Sequence, residues 1–364
     1  MAERPVVIIG AGPAGLAAAH SLHMRHIPFR LLERGNRSGF AWSRLYDSLR
    51  LHTGKHLSAL PGLRFGRATP LFPTRDDFLD YLERYVSAFG LDVETGTEVM
   101  RVERHDCWRV TARSETIEAR AVVVATGIIS EPVVPDIAGR EVFEGRVLHS
   151  VAYLRAAPFI GRRVLIVGVG NSGGEVAAEL ARAGVDTTIA VRSGANVVPL
   201  TIAGVPIQYL SVWVRKLPRA AQERVVAAVR RVTEKRRGPP VLPRSVHSPL
   251  DAIPLIGLHL VDEIRAGRIA VRPGIERFTR TGVRFADGTE SQFDDVILAT
   301  GFRPALAPLA GIVQRDARGF ALRSDRIRSA DHRDLFFVGH NYDASGGLQN
   351  IARDARLLGD VLGR

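Results

Sequence analysis

The sequence predicts an α/β protein with two doubly wound parallel sheets, the second inserted into the first. Three observations carry that expectation. A short β-branched run ends in glycines at PVVIIGAGPAG (residues 5–15), followed by an alanine-rich stretch and a second apolar run, FRLLERG. The same order returns from Arg162 in RRVLIVGVGNSGGEVAAELARAGVDTTIAVRS. Each reads as strand, tight turn, helix, strand, the βαβ unit that two parallel strands require. Lastly, LFFVG (335–339) is one more apolar strand placed after the second unit has closed, the order expected if it completes the first sheet. Both sheets are therefore expected to be Rossmann-like, with domains at 1–155 plus 291–364 and at 156–290.

The remaining segments fit around these units. Residues 94–127 alternate in short stretches and read as a β-meander ending in the turn Ala125-Thr126-Gly127. A matching segment ends at Ala299-Thr300-Gly301, with Asp287 and Gly288 as its hairpin signal. Residues 195–214 carry no charge, but Pro199, Gly204, Pro206 and Gln208 interrupt them, which suits a lining or surface-docking segment better than a membrane span. An amphipathic helix with an arginine face is expected over 219–237 and a Pro-rich loop over 238–254. The substrate-lining insertion is placed at about 195–256, and a helix starts near Gly347.

Composition narrows the function classes. With 364 residues, 46% hydrophobic and 24% charged, the chain can bury two cores. Its net charge of +12 is dispersed and mostly arginine; Lys55, Lys216 and Lys235 are the only lysines. No nucleic-acid partner is expected from such a distribution. No basic region precedes the first apolar run, so no signal peptide, no stable membrane span and a cytoplasmic location are expected. Cys107 stands alone, which excludes an internal disulfide, a C-x-x-C pair and a cysteine zinc site; no metal site is expected.

The chemistry sits in the glycines. Gly10, Gly12 and Gly15 form G-x-G-x-x-G directly after a strand, with Pro13 and Ala14 opening the helix. The first glycine makes the turn, the second lets backbone approach a pyrophosphate, and the third lets helix pack on strand. The helix N-terminus then offers free N–H groups to phosphate. Glu33, followed by Arg34, ends the second strand, where an acid can bind ribose hydroxyls. Gly168, Gly170 and Gly173, with Asn171 and Ser172, repeat the motif, but Arg192 and Ser193 stand where the acid was, and a cation there suits the 2′-phosphate of NADPH. A structural glycine turn and an ordinary surface arginine are the plain alternatives.

An acid-bearing N-terminal unit followed by a second glycine loop resembles the two-dinucleotide flavoproteins, which implies FAD at the first loop and NADPH at the second. The turns at Thr126, Gly127, Thr300 and Gly301 resemble the crossover segments of that superfamily. Gly339 ends the last strand ahead of the C-terminal helix and Leu348 falls at the start of that helix, whose positive end would face the reduced flavin. One motif narrows the resemblance. Phe143, Gly145, His149 and Tyr153 (FEGRVLHSVAY) match F-x-G-x-x-x-H-x-x-x-[YF], and by it the chain is identified as a member of the class B flavin-containing monooxygenases. Tyr153, where Baeyer–Villiger enzymes carry tryptophan, points to the heteroatom-oxidising or YUCCA-like branch. Residues 40–85 and IGLHLVDEIRAGRIAVRPGIERF are similar to YUCCA enzymes. The resemblance puts Trp42 near the flavin, and His52, with Thr53 and Lys55 after it, at the position of an active-site asparagine in many relatives. It implies that NADPH reduces FAD, that O₂ adds at flavin C4a, and that the resulting hydroperoxide oxygenates a small amine or sulfide or a 2-oxo acid in a dry pocket. An NADPH oxidase or flavin reductase, a Baeyer–Villiger-type enzyme and a non-catalytic dinucleotide sensor stay open, as does a homodimer.

Overall fold

The computed structural model describes residues 4–246, 248, 250, 254–343 and 346–363. Of the Pro-rich stretch 238–254, residues 247, 249 and 251–253 lie outside the described residues. The chain divides into two compact units: Met1–Leu45, Leu49–Glu131 and Phe302–Arg364 form one, and Tyr46–Ser48 with Pro132–Gly301 the other.

The first unit holds a parallel sheet in the order Phe29–Leu32, Val6–Ile9, Ala121–Val124, Leu335–Phe337. Val6 pairs with Phe29 and Ala121, and Leu335 with Val122, so the C-terminal strand does close the N-terminal sheet. Both faces are covered, which is why Val6–Ile9 is apolar throughout and wholly buried. The pleat sends Val6 and Ile8 towards the helices and Val7 and Ile9 towards the meander side. On the helix side, Pro13–His23 is buried along nearly its whole length and packs against Gly347–Leu362. The helix Arg75–Phe89 begins in a reciprocal cap, Thr74 accepting from the Asp77 N–H while the Asp77 carboxylate accepts from the Thr74 N–H, and ends at Gly90 in the left-handed region. On the other side the strands Val99–Arg104, Trp108–Ala112 and Thr116–Ala119 form the expected antiparallel meander.

The second unit holds five parallel strands in the order Ile269–Pro273, Asp186–Val191, Arg163–Val167, Asp295–Leu298, Arg146–His149. Its boundaries differ from the expected 156–290, because Arg146–His149 pairs with Asp295–Leu298 as an edge strand. A four-residue edge strand ahead of the glycine loop has no signature of its own. The meander Ile275–Phe278, Gly282–Phe285, Glu290–Gln292 turns at Gly288, with Asp287 accepting from the Thr289 N–H. Some of the arginine excess is committed here. The buried Asp295 carboxylate is held by Arg146 and Arg162, and the buried Glu263 by Arg182 and Arg268.

Residues 195–214 fold as short strands and the helix Ile207–Val214, and the expected amphipathic helix is Arg219–Arg237. No described helix is long and apolar enough to cross a membrane.

Candidate functional site

The two glycine loops have one geometry. Gly10 (φ +100°) and Gly168 (φ +107°) occupy the left-handed region that favours glycine. A Cβ on Gly10 would lie 2.8 Å from the Ala125 carbonyl oxygen, and one on Gly168 2.6 Å from that of Ala299, so each loop is jammed against its own Ala-Thr-Gly turn. A Cβ on Gly15 would sit 1.8 Å from the Gly10 carbonyl oxygen, and one on Gly173 2.1 Å from that of Gly168. These are the helix-on-strand contacts. Gly12 and Gly170 differ in kind. Each caps its helix in the same extended conformation (φ −75°), and a Cβ on either would meet no protein atom within 4 Å. Nothing in the fold requires glycine there. A ligand backed closely against the N-termini of Pro13–His23 and Asn171–Arg182 would, so both loops fit a dinucleotide pyrophosphate.

The crossover turns match as well. Thr126 donates its hydroxyl to the Ala305 carbonyl at 2.7 Å, and Thr300 donates to that of Val133. Gly127 and Gly301 both have positive φ.

The residues after the second strands do not match. Glu33 is 7% exposed; its Oε2 accepts from the Ala11 N–H and its Oε1 from the Gly35 N–H, each at 2.8 Å. The carboxylate thus ties the glycine loop to the strand end, with a further lone pair on each oxygen able to take a ribose hydroxyl. Arg192 and Ser193 are exposed, as is Arg34. A guanidinium in that place can take a phosphate.

In the first unit, Gly339 follows Leu335–Phe337 and leaves no room for a side chain: a Cβ would lie 2.8 Å from that of Ala14. Its N–H donates to Asp354 Oδ2 at 3.1 Å. Asp354 is fully buried on the C-terminal helix, where Arg326 and the Asn341 amide also donate to it. Burial holds this carboxyl above its usual range despite those donors. The helix itself starts behind Gly346 (φ +93°), and Thr53 packs there: a Cβ on Gly346 would meet Thr53 Cγ2 at 2.6 Å. The structure therefore brings Thr53 to the N-terminus of Gly347–Leu362, which also carries the buried Leu348; His52, its chain neighbour, is half-buried. Thr53 shares a hydroxyl contact of 2.6 Å with the buried Ser58. Trp42 is half-buried, edge-on to Phe78 at 4.5 Å between centroids.

Two expected cofactor ligands are otherwise engaged. Lys55 donates to the carbonyls of Gly66, Arg67 and Thr69, so its three protons hold that loop and none is left for a cofactor. The Asn171 amide donates to Pro254 and its oxygen accepts from the Ile256 N–H, stapling that segment to the head of the helix. The network around Asp354 went unread in the sequence. Its signal was present: Asn350 and Asp354 interrupt the apolar stripe of Leu348, Ile351, Ala355 and Leu358, and both are fully buried.

The motif from Phe143 to Tyr153 is structural in all four positions. A Cβ on Gly145 would lie 2.4 Å from the Phe143 ring, which sits 5.2 Å from that of Phe278. His149 accepts from the Val151 N–H on Nδ1, so its Nε2–H donates to the Gly301 carbonyl at 3.1 Å, and burial lowers its pKa. Tyr153 is buried against Phe159, with its phenol pushed up by burial.

Comparison with known proteins agrees with this geometry. The family model described as pyridine nucleotide-disulphide oxidoreductase matches residues 7–237. The indole-3-pyruvate monooxygenase YUCCA1 of Oryza sativa subsp. japonica is 37% identical, over 82% of this chain and 76% of its own. YUCCA8 of Oryza sativa subsp. indica is 36% identical, over 98% of this chain and 90% of its own. The chain belongs to the flavin-containing monooxygenases, in their YUCCA-like branch. A flavin monooxygenase from Stenotrophomonas maltophilia, solved as a double mutant, superposes with a TM-score of 0.80 at 30% identity, covering 100% of this chain and 99% of that one. A cyclohexanone monooxygenase shares the fold at 22% identity and a TM-score of 0.74. This flavin-containing monooxygenase uses FAD and NADPH, and its co-substrates are O₂ and a small molecule.

Proposed function

We propose that the enzyme oxidatively decarboxylates an aromatic 2-oxo acid. The observation that carries this is the 37% identity, across most of both chains, with a curated indole-3-pyruvate monooxygenase. The overall reaction is R–CO–COOH + O₂ + NADPH + H⁺ → R–COOH + CO₂ + H₂O + NADP⁺. NADPH gives two electrons, one oxygen atom ends in the shortened acid and the other in water.

Bound FAD supplies the electron relay and the activation of oxygen. The chain's own residues hold the two dinucleotides and shield them. At the first loop, the N–H groups of Gly12, Ala14 and Gly15 would face the FAD pyrophosphate, Pro13 having none to offer, and Glu33 would take the adenosine ribose hydroxyls. At the second loop, Gly170, Ser172 and Gly173 would face the NADPH pyrophosphate, and Arg192 with Ser193 would take the 2′-phosphate. Thr126, Gly127, Thr300 and Gly301 shape the far walls of the two loops. The N-terminus of Gly347–Leu362, seated by Thr53 and by the Asp354 contact to Gly339, would favour negative charge on a reduced flavin bound there. Trp42 packs on the apolar cluster around Phe78, which would help exclude water from the flavin, and His52 precedes the Thr53 that seats the helix.

The test is a product panel: an aromatic 2-oxo acid, a sulfide, a tertiary amine and a cyclic ketone, each with NADPH and ¹⁸O₂. The expected result is an acid one carbon shorter carrying one ¹⁸O, with NADPH and O₂ consumed one to one. A sulfoxide or N-oxide as the favoured product would move the enzyme to heteroatom oxygenation. A lactone would make it a Baeyer–Villiger enzyme, and hydrogen peroxide without oxygenated product an NADPH oxidase.

A further inference from the structure

Helix Ile207–Val214 and the turn behind it carry an apolar stripe that the protein leaves in solvent. Leu210, Trp213 and Leu217 are spaced three and four apart, so they share one side of the helical turn, which continues through the Lys216 and Leu217 N–H bonds to Trp213 and Val214. Trp213 is 69% exposed, Leu217 43% and Leu210 36%. The chain's other tryptophans are half-buried (Trp42) or fully buried (Trp108). Lys216 sits over the Trp213 ring, its Nζ 4.7 Å from the centroid.

A basic face follows directly. From Arg215 to Lys235 the chain has seven cations, all exposed, against two carboxylates. Both carboxylates already have partners: Glu223 pairs with Arg219 at 3.2 Å and Glu234 with Arg244 at 3.5 Å. Arg224, Arg231 and Lys235 fall at i, i+7 and i+11 of Arg219–Arg237, one stripe along the helix. The half-buried Val225, Val226, Val229 and Thr233 lie on the other side.

We propose that this face docks the enzyme on an anionic lipid surface. Trp213, Leu210 and Leu217 enter the headgroup region, and Arg224, Arg231 and Lys235 meet the lipid phosphates. The charge fixes the sign of the partner. The amount of apolar surface fixes its kind. A few partly exposed side chains cannot supply the ~800 Å² per partner of a stable protein–protein interface. They do suffice for an interfacial anchor, where tryptophan is favoured at headgroup depth and long cationic side chains reach outward. Two stripes adjacent in the chain, apolar then cationic, match a layered partner better than the rigid phosphate spacing of a duplex.

The test is co-sedimentation of the holoenzyme with phosphatidylcholine vesicles, with and without phosphatidylglycerol, alongside tryptophan emission. Because Trp213 is the exposed tryptophan, its emission should shift to the blue on binding. Binding should require phosphatidylglycerol and weaken as salt rises. Each of Arg224→Gln, Arg231→Gln and Lys235→Gln should lower the partition coefficient about fivefold, and Trp213→Ala about tenfold. Bound-flavin absorbance checks that each variant is folded. Absence of phosphatidylglycerol-dependent binding overturns the proposal. So does a concentration-dependent dimer that Trp213→Ala dissociates, which would make the stripe a self-association surface, or salt-sensitive binding to duplex DNA without binding to vesicles.

Discussion

The two glycine loops repeat one backbone device with opposite residues at its rim. Gly10 and Gly168, Gly15 and Gly173, Thr126 and Thr300 have the same contacts in the same order. Glu33 is buried and bonded to two backbone N–H groups, whereas Arg192 is exposed. The same sequence position is built into the fold in one unit and left at the surface in the other. Changing cofactor preference at the second loop should therefore cost little stability, while the acid at the first cannot be exchanged without disturbing the loop it holds.

The comparison can be broken first at its tightest contacts. Gly15→Ala puts a methyl group against the Gly10 carbonyl and should unfold the first unit, a loss above about 4 kcal/mol read as failure to yield soluble yellow protein. Gly12→Ala meets no protein atom, so the apoprotein should melt as wild type while FAD affinity falls about a hundredfold, measured by flavin fluorescence on titration. Gly170→Ala should stay yellow and raise the KM for NADPH instead. If Gly12→Ala lowers the melting temperature of the apoprotein, the open space at Gly12 is not a ligand's.

Smaller effects sharpen the contrast at the rim. Glu33→Gln leaves one of the Ala11 and Gly35 N–H groups without its acceptor, which should cost about 1–3 kcal/mol in thermal melts as well as weakening FAD. Arg192→Ala should change stability by less than about 0.5 kcal/mol. It should raise the KM for NADPH while leaving that for NADH near wild type; equal effects on the two would show that Arg192 does not read the 2′-phosphate.

Acid should separate the units as well. His340 in the first unit is buried among Phe320, Phe337 and the Arg323 guanidinium, and burial, with Arg323, pushes its pKa down to about 3. The unfolded chain takes up the proton near the ordinary 6.5, so stability should fall as pH drops below that value and level off near 3. His149 in the second unit is lowered by burial in the same direction, but its bond to the Gly301 carbonyl opposes the shift. His340→Leu should flatten the fall in melting temperature between pH 6.5 and 4 more than His149→Gln does. The reverse order would place the more acid-sensitive histidine in the second unit.

What could be read from the sequence followed from backbone demands. Glycine spacing announces where the chain must turn or let something close, and alternation of apolar residues announces strands, so both sheets and both meanders were legible. Side chains whose partners are distant carbonyls were not. Nothing near Lys55 says that residues 66–69 will surround its ammonium, and nothing in GNSGG says that Asn171 will hold the segment at Pro254 and Ile256. The strand Arg146–His149 was hidden because its one neighbour among the described residues comes 149 residues later, at Asp295. The Phe143–Tyr153 motif pointed to the right family, although its side chains serve the interior of the second unit and none of these contacts is chemical.

Tyr46, Asp47 and Ser48 belong by contact to the unit whose chain they otherwise lie outside. Tyr46 donates to Glu175, Ser48 donates to Glu179 at 2.5 Å, and Asp47 pairs with Arg155 at 3.1 Å. The halves are thus no longer interchangeable parts. A chimera that takes residues 132–301 from a relative inherits the carboxylates of one lineage and the tripeptide of another. Such grafts should succeed only when residues 46–48 travel with the half they serve.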